Sequence, residues 1–271
     1  MVQQEVVSVV PQRVEILGAY VDVSHVKQAV SAILERVKAT PAQQQGGYVC
    51  LANVHMCMEA IDDPAFLNVL RQASWVLADG RPIFWAQRLL GAGAATQVRG
   101  LDLVHALCQQ MQSQGLKLGL YGGQDQALLT QLKLRLLQQY PDLNISYAYA
   151  PPFRPLTVSE DQQQIAAINA AEVDVLLVGL GCPKQERWMA EHQQRLSAMM
   201  LGVGAAFDFI AGRKLHAPRV LQLLGLEWFF RLLSEPRRLT GRYFKHNPRF
   251  MLLFAAQYFR IKLKPKQGST D

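Results

Sequence analysis

The sequence lacks the features that mark membrane-spanning, secreted and zinc-binding chains. Its longest apolar stretch, residues 250–259, is about half of the roughly 20 residues that a bilayer-spanning helix needs. The first residues show no basic start followed by an apolar run, the pattern of a secretory signal. The four cysteines have no CxxC spacing, which argues against a zinc site built on them. These absences predict a cytosolic protein that does not cross the membrane.

Two common nucleotide-binding signatures are also missing. The glycine pairs within 179–184 and 202–207 begin like G-x-G-x-x-G, but Lys184 and Phe207 stand where the last small residue belongs. An NAD-dependent oxidoreductase is therefore disfavoured and stays open only as an alternative. The sequence contains no P-loop pattern either.

Charge is abundant but unevenly placed. Residues 213–271 carry 13 Lys and Arg against 3 acids, a net charge of +10, whereas residues 1–212 carry 15 against 18, a net of −3. The basic segment also holds 9 aromatic residues, and this combination favours an anionic membrane surface as partner. A nucleic-acid-binding protein is the alternative, although Met251, Leu252 and Phe254 are too apolar for a solvated arm that grips phosphates.

Short apolar runs alternate with segments of helical period between residues 14 and 204. The predicted strands are 14–17, 48–52, 75–78, 116–121, 145–149, 173–178 and 198–203. Strands that are apolar on both faces belong to sheets covered by helices on both sides. The pattern therefore predicts an α/β fold with a Rossmann-like parallel sheet. We expect residues 1–212 to form this domain and residues 213–271 to form a helical, basic appendage.

Polar residues and glycines follow the predicted strands at their carboxyl ends. They are Asn53, Asp79, Gly122, Gly123, Gly179, Gly181, Gly202 and Gly204. Ligands of open α/β sheets bind at that edge, where glycine lets the backbone approach a ligand and helix N-termini favour phosphate. The joint placement of these residues predicts a nucleotide site.

Each of these residues also has a purely structural interpretation. A single glycine commonly marks a turn. Asp79 is a candidate N-cap of a helix beginning at Arg81, and Asn53 is a candidate N-cap of the helix that follows it. Gln185 stands at a predicted helix start, where an ordinary surface position explains it equally well.

Six motifs occur in order along the chain. They are ADGRP at 78–82, RGLD at 99–102, YGG at 121–123, GLGCPKQE at 179–186, GVGAAFD at 202–208 and GLEW at 225–228. Together they resemble the WecG/TagA/CpsF family of bacterial glycosyltransferases over about residues 14–244. The resemblance implies an inverting transfer of N-acetylmannosamine, its uronic acid or a hexose from a UDP-sugar to a sugar on undecaprenyl diphosphate. Such transfers serve the synthesis of surface polysaccharide or teichoic acid.

The resemblance also implies roles for individual residues. Asp79 becomes the general base that takes the proton of the acceptor hydroxyl. Donor and acceptor binding is assigned to Asn53, Arg99, Gly122, Gly179, Gly181, Gln185 and Glu186. Stabilisation of the leaving diphosphate is assigned to Arg231, Arg238 and Arg242, for which a solvated basic helix face is the alternative.

The expected partners follow from the same resemblance. They are a UDP-sugar as substrate, a polyprenyl-diphosphate-linked acceptor and an anionic membrane surface, with no nucleic acid; an oligomer stays open. We expect no cofactor and, because the chain has no Asp-x-Asp pair, no metal on the diphosphate. The expected location is cytoplasmic, peripheral on the inner face of the cell membrane. Two positions depart from the family pattern: Leu51, where Thr is usual, and His216, where Arg is usual.

Overall fold

The computed structural model describes residues 12–39, 46–215, 217–218, 221 and 227–263. Within the last range, the side chains of Glu227, Arg231 and Arg238 lie outside the description. The expectation for His216 also falls outside the described residues.

Eight strands form one sheet in the described part of the chain. They are β1 Arg13–Ile16, β2 Ala19–Asp22, β3 Gly47–Ala52, β4 Trp75–Ala78, β5 Lys117–Gly122, β6 Asn144–Tyr149, β7 Val175–Gly179 and β8 Met199–Gly202. Their order across the sheet is β1-β2-β4-β3-β8-β7-β5-β6. Every neighbouring pair is parallel except β1 and β2. The Rossmann-like sheet predicted from the sequence is confirmed, and each predicted strand is found within two residues of its expected bounds.

The antiparallel pair at the edge of the sheet is a hairpin that the sequence pattern did not indicate. Strand β2 follows β1 after only two residues, Leu17 and Gly18, which have φ angles of 53° and 88°. Two successive positive φ angles are typical of the tight turn that matches the twist of paired strands. The four residues of β2 were too few to be recognised in the sequence beside β1. Their antiparallel pairing makes the otherwise parallel sheet mixed at this edge.

Helices cover both faces of the sheet, as predicted. They are α1 Val26–Ala39, α2 Val54–Asp62, α3 Pro64–Gln72, α4 Arg81–Leu89, α5 Gly100–Gln114, α6 Gln126–Gln139, α7 Val158–Ala170, α8 Lys184–His192, α9 Ala206–Ile210, α10 Glu227–Ser234 and α11 Pro236–Leu263. One face packs against α2, α3, α4, α7, α8 and α11, and the other against α1, α5, α6 and α9. Burial on both faces explains why the central strands are apolar throughout.

Two helices, α10 and α11, make up most of the described part of the basic appendage, whereas residues 213–215 and 217–218 are not helical. Helix α10 ends at Ser234 and α11 begins at Pro236, a residue type that the first turn of a helix accepts readily. A second proline, Pro248, lies inside α11. The boundary at residue 212 marks the change in charge and stays a prediction.

Helix α11 packs on the body of the protein. Phe250 and Phe254 are buried in the same core as α2 and α3. Farther along the helix, Gln257 donates to the carbonyl of Glu15 at 2.8 Å and accepts from the N–H of Leu17 at 3.0 Å. The appendage is therefore fastened to the β1–β2 hairpin at the far end of the sequence.

None of the helices in the described ranges is both long enough and apolar enough to cross a bilayer.

Candidate active site

A cleft of about 460 Å³ lies at the carboxyl ends of β3, β4 and β8. The chain runs outward from β3 to β4 on one side and later returns through β7 and then β8 on the other, so the cleft marks the point where strand order reverses. This is the position at which open α/β sheets bind ligands. The opposite wall comes from α10 and α11, through Trp228, Leu239, Arg242, Tyr243 and His246.

Asp79 follows β4 and lines the cleft. Its Oδ1 atom accepts a hydrogen bond from the backbone N–H of Gly100 at 2.9 Å, and its carbonyl accepts one from the Gln97 amide at 2.6 Å. The interpretation of Asp79 as N-cap of α4 is wrong, because Gly80 occupies that position without a side-chain cap. The carboxylate is instead held at the N-terminus of α5, facing the cleft.

Asn53 follows β3 and also lines the cleft. Its Oδ1 atom accepts from the N–H of Met56 at 3.1 Å, so the structural interpretation as N-cap of α2 is confirmed. A Cβ on Gly80 would lie 3.1 Å from the Asn53 Cα, which shows how closely the two strand ends approach each other. The cap fixes the orientation of the Asn53 amide at the wall of the cleft.

Gln185 and Glu186 lie in the first turn of α8, and both are buried. Gln185 lines the cleft; it accepts from the N–H of Gly181 at 3.1 Å and donates to Glu186 Oε1 at 2.8 Å. Glu186 does not reach the cleft wall. Burial raises the pKa of its carboxyl to about 7, against the opposing hydrogen bond from Gln185. The Glu186 side chain therefore contacts Gln185, which in turn orients the loop at Gly181.

The glycines expected at the site divide into two groups. Gly181, with a φ of 79°, lines the cleft, and a Cβ built on it would meet no described atom within 4 Å. Gly122 and Gly179 lie outside the cleft wall. A Cβ on Gly122 would approach the Gly179 carbonyl carbon to 2.6 Å, and one on Gly179 would approach the Phe207 ring to 2.6 Å. Close packing between strand ends accounts for these two positions.

Cationic side chains surround the cleft. Arg99 forms an ion pair with Asp102, with 2.9 Å between Nε and Oδ2, and Lys214 lies 3.1 Å from Asp208 and 3.3 Å from Glu235. Arg242 lines the cleft from α11, as expected. The side chains of the other two predicted arginines, Arg231 and Arg238, lie outside the described structure.

Several cleft residues were missed by the sequence analysis. They are His55, Arg81, Trp85, Gln97, Lys214, Trp228, Tyr243 and His246. The rings of His55 and His246 lie 5.1 Å apart across the contact between α2 and α11. Burial, helped by Arg242 and His246, lowers the pKa of His55 to about 4, so its imidazole is neutral at neutral pH. Residues this far apart in sequence give no local pattern that would pair them.

The position that departs from the family pattern, Leu51, also lines the cleft. It is buried at the end of β3, and a Cβ on Gly100 would lie 2.8 Å from its Cδ1 atom. An apolar side chain therefore fills the space beside the Asp79 carboxylate.

Comparisons with known proteins agree with this arrangement. The profile of the Glycosyl transferase WecG/TagA/CpsF family matches residues 14–264. Two relatives are named N-acetylglucosaminyldiphosphoundecaprenol N-acetyl-beta-D-mannosaminyltransferase, from Staphylococcus aureus strains MW2 and NCTC 8325. Each is 30% identical over 253 residues, which cover 92% of this chain and 95% of the relative. The chain belongs to the WecG/TagA/CpsF family of glycosyltransferases.

Proposed function

We propose that the protein transfers a sugar, N-acetylmannosamine or a related hexose, from a UDP-sugar to an undecaprenyl-diphosphate-linked sugar, with inversion at the anomeric carbon. The proposed acceptor follows from the names of the Staphylococcus aureus relatives, N-acetylglucosaminyldiphosphoundecaprenol N-acetyl-beta-D-mannosaminyltransferases. The UDP donor follows from the family resemblance of the sequence motifs.

The observation that carries the proposal is the placement of Asp79 in the cleft. Its carboxylate stands at the end of a central strand and is oriented by the N–H of Gly100. In a single displacement the acceptor hydroxyl oxygen bonds to the anomeric carbon as the bond from that carbon to UDP breaks. The hydroxyl proton passes to the Asp79 carboxylate, which acts as general base.

The leaving UDP carries the negative charge that develops in the reaction. Arg242 on α11 and Arg99 before α5 line the same cleft as Asp79, and Lys214 lies at its rim. Guanidinium groups stay charged at all relevant pH values and match phosphate oxygens with paired donors. We propose that these cations stabilise the leaving diphosphate without a metal ion bound to it.

The surface beside the cleft suits a lipid-linked acceptor. Helix α11, which forms one wall of the cleft, exposes large apolar side chains: Phe244, Met251, Leu252, Phe259, Ile261 and Leu263. The same helix carries Arg237, Lys245, Arg260 and Lys262. Apolar side chains among cations favour the interface of an anionic membrane. We propose that α11 rests on the cytoplasmic face of the membrane and leads the acceptor head group into the cleft.

The test is a transfer assay on the full chain with a panel of nucleotide sugars. The acceptor is a short-chain polyprenyl-diphosphate N-acetylglucosamine, the buffer contains EDTA, and the product is analysed by mass spectrometry and NMR. We expect transfer from a UDP-sugar with inverted anomeric configuration. Transfer only from sugars carried on a nucleotide other than UDP would disprove the UDP assignment. Retention of the anomeric configuration would disprove the single displacement. Activity that needs added magnesium or manganese would disprove the role of the cationic side chains.

A further inference from the structure

Three side chains of the types that bind metals meet where α11 packs on α2. His55 and Glu59 lie one turn apart on α2, and His246 approaches them from α11. One ligand atom from each lies within 4.8 Å of the other two. The His55 Nδ1 and Glu59 Oε1 atoms are 3.6 Å apart.

The histidines leave unused nitrogen atoms inside this contact. The Nδ1 atoms of both His55 and His246 are buried, and neither has a hydrogen-bond partner among the described residues. His246 as a whole is only 4% exposed. The backbone carbonyl of Cys182 lies close enough to His55 to raise its pKa, while the Nδ1 atom of the ring has no partner. Metal-binding histidines are typically oriented by a carbonyl on the far nitrogen.

We propose that His55, Glu59 and His246 form a binding site for Zn²⁺. Two imidazole nitrogens and one carboxylate oxygen are a donor set that Zn²⁺ accepts, usually with one position left for water, whereas Mg²⁺ and Ca²⁺ favour oxygen donors. Bonds of about 2.0–2.1 Å in a tetrahedron place ligand atoms about 3.4 Å apart. The His55–Glu59 separation of 3.6 Å already fits, and side-chain shifts of about 1.4 Å in total bring in the third ligand atom.

Some of the charges around the site oppose a bound cation, and others favour it. Arg242 and Lys245 lie close enough to lower the pKa of both histidines, and they oppose a cation. Glu59 and Asp62 raise the pKa of His246 and therefore favour a cation, although Asp62 also forms an ion pair with Arg249. The Glu59 carboxylate is thus the ligand that compensates the ion's charge, and its loss should weaken binding as much as loss of a histidine.

A bound ion would join the appendage to the body. Glu59 and His55 belong to α2, while His246 belongs to the helix that carries Arg242 to the cleft. Zn²⁺ at this point bridges the two helices at the wall of the cleft, since His55 and His246 both line it. The test therefore measures binding of the metal itself.

The experiment uses the full chain without an affinity tag, freed of metal with a chelator and then titrated with Co²⁺ and Zn²⁺. We expect one equivalent of Co²⁺ to give visible absorption of the tetrahedral type, displaced by Zn²⁺, and no response to Mg²⁺. His246→Gln and Glu59→Gln should each weaken Zn²⁺ binding at least tenfold, while His25→Gln, at an exposed histidine on the other side of the sheet, should not. Glu59→Gln changes a partly exposed side chain, so it keeps the test valid if the His246 variant fails to fold.

Limited proteolysis gives the second readout. Zn²⁺ should slow cleavage within residues 236–263 of the wild type and leave the rate unchanged in Glu59→Gln. Zn²⁺ bound equally well by wild type and both variants, or not bound at micromolar concentration, overturns the site. The histidine pair would then be an ordinary packing contact. Zn²⁺ that binds through these residues without slowing cleavage overturns the bridging of the two helices.

Discussion

The Asp79 carboxylate and the backbone N–H of Gly100 are joined by a hydrogen bond of 2.9 Å. The donor is the first residue of α5, so the carboxylate lies at the positive end of the helix dipole. One carboxylate oxygen is thereby fixed, which sets the direction in which the group meets a substrate. Gly100 also permits the close packing of Leu51 beside this bond, because a Cβ on Gly100 would lie 2.8 Å from the Leu51 Cδ1 atom.

The first prediction concerns Asp79→Asn. Asparagine keeps an oxygen that accepts from Gly100 but cannot take the acceptor proton. We expect kcat to fall by about 100- to 10,000-fold, the usual contribution of general-base catalysis, with UDP-sugar affinity within a few-fold of wild type. Asp142→Asn, at an exposed loop position, serves as control and should leave kcat unchanged. A variant with more than a tenth of wild-type kcat would exclude Asp79 as the base.

The second prediction concerns the cation that α11 brings to the cleft. Arg242→Ala should lower kcat on a water-soluble acceptor analogue by about 100-fold or more, as expected for loss of a group that stabilises transition-state charge. Arg237→Ala removes an exposed arginine from the same helix and should have little effect on this substrate. Equal losses in the two variants would mean that α11 contributes only general positive charge.

The third prediction concerns stability and pH. The pKa of Glu186 is about 7 in the folded protein against an ordinary value of 4.5. Between these values the unfolded chain binds fewer protons than the folded one, so the free energy of unfolding decreases as pH rises from about 5 to 7 and levels off above. The contribution of this carboxyl is about 3 kcal/mol.

Denaturant unfolding at pH 5 and pH 8 measures this effect. Glu186→Gln does not titrate, so it should lose less stability than the wild type over that interval. Glu191→Gln, an exposed position on the same helix, should follow the wild type. Identical pH profiles for wild type and Glu186→Gln would show that the buried carboxyl is ionised throughout.

The fourth prediction separates membrane binding from catalysis. Leu252 and Phe259 of α11 are 73% and 60% exposed. Changing both to Glu should abolish co-sedimentation with anionic vesicles, because apolar insertion is lost and negative charge is added. Transfer to the water-soluble acceptor should stay within a few-fold of wild type. Leu134→Glu on α6, also exposed, should leave vesicle binding intact.

The centre of the sheet was predictable from the sequence because β3, β4, β5, β7 and β8 are buried on both faces. Each is a short run of apolar residues closed by glycine or a polar residue, and that pattern is local. Strand β2 was missed because a two-residue turn joins it to β1 and its four residues show no separate run. Local patterning thus predicts strands of the buried interior better than an edge hairpin.

The candidate site was predictable only in part. Asn53 and Asp79 stand at strand ends, where sequence position alone places them at the cleft. The glycines at the strand ends did not by themselves indicate the cleft. Gly122 and Gly179 are required by close packing, whereas Gly181 lines the cleft. The contact between His55 and His246 depends on how α11 lies across α2, which is a tertiary relation that no local spacing encodes.

The hydrogen bonds from Gln257 to the β1–β2 hairpin also bear on how the chain folds during synthesis. Ribosomes deliver the β1–β2 hairpin well before α11, so the hairpin waits for its partner until residue 257 has been made. Throughout that interval the face of α2 that later receives Phe250 and Phe254 is open to solvent. The nascent chain therefore exposes apolar surface until α11 has been made, and we expect chaperones that bind such surface to associate with ribosome-bound chains that stop before residue 250.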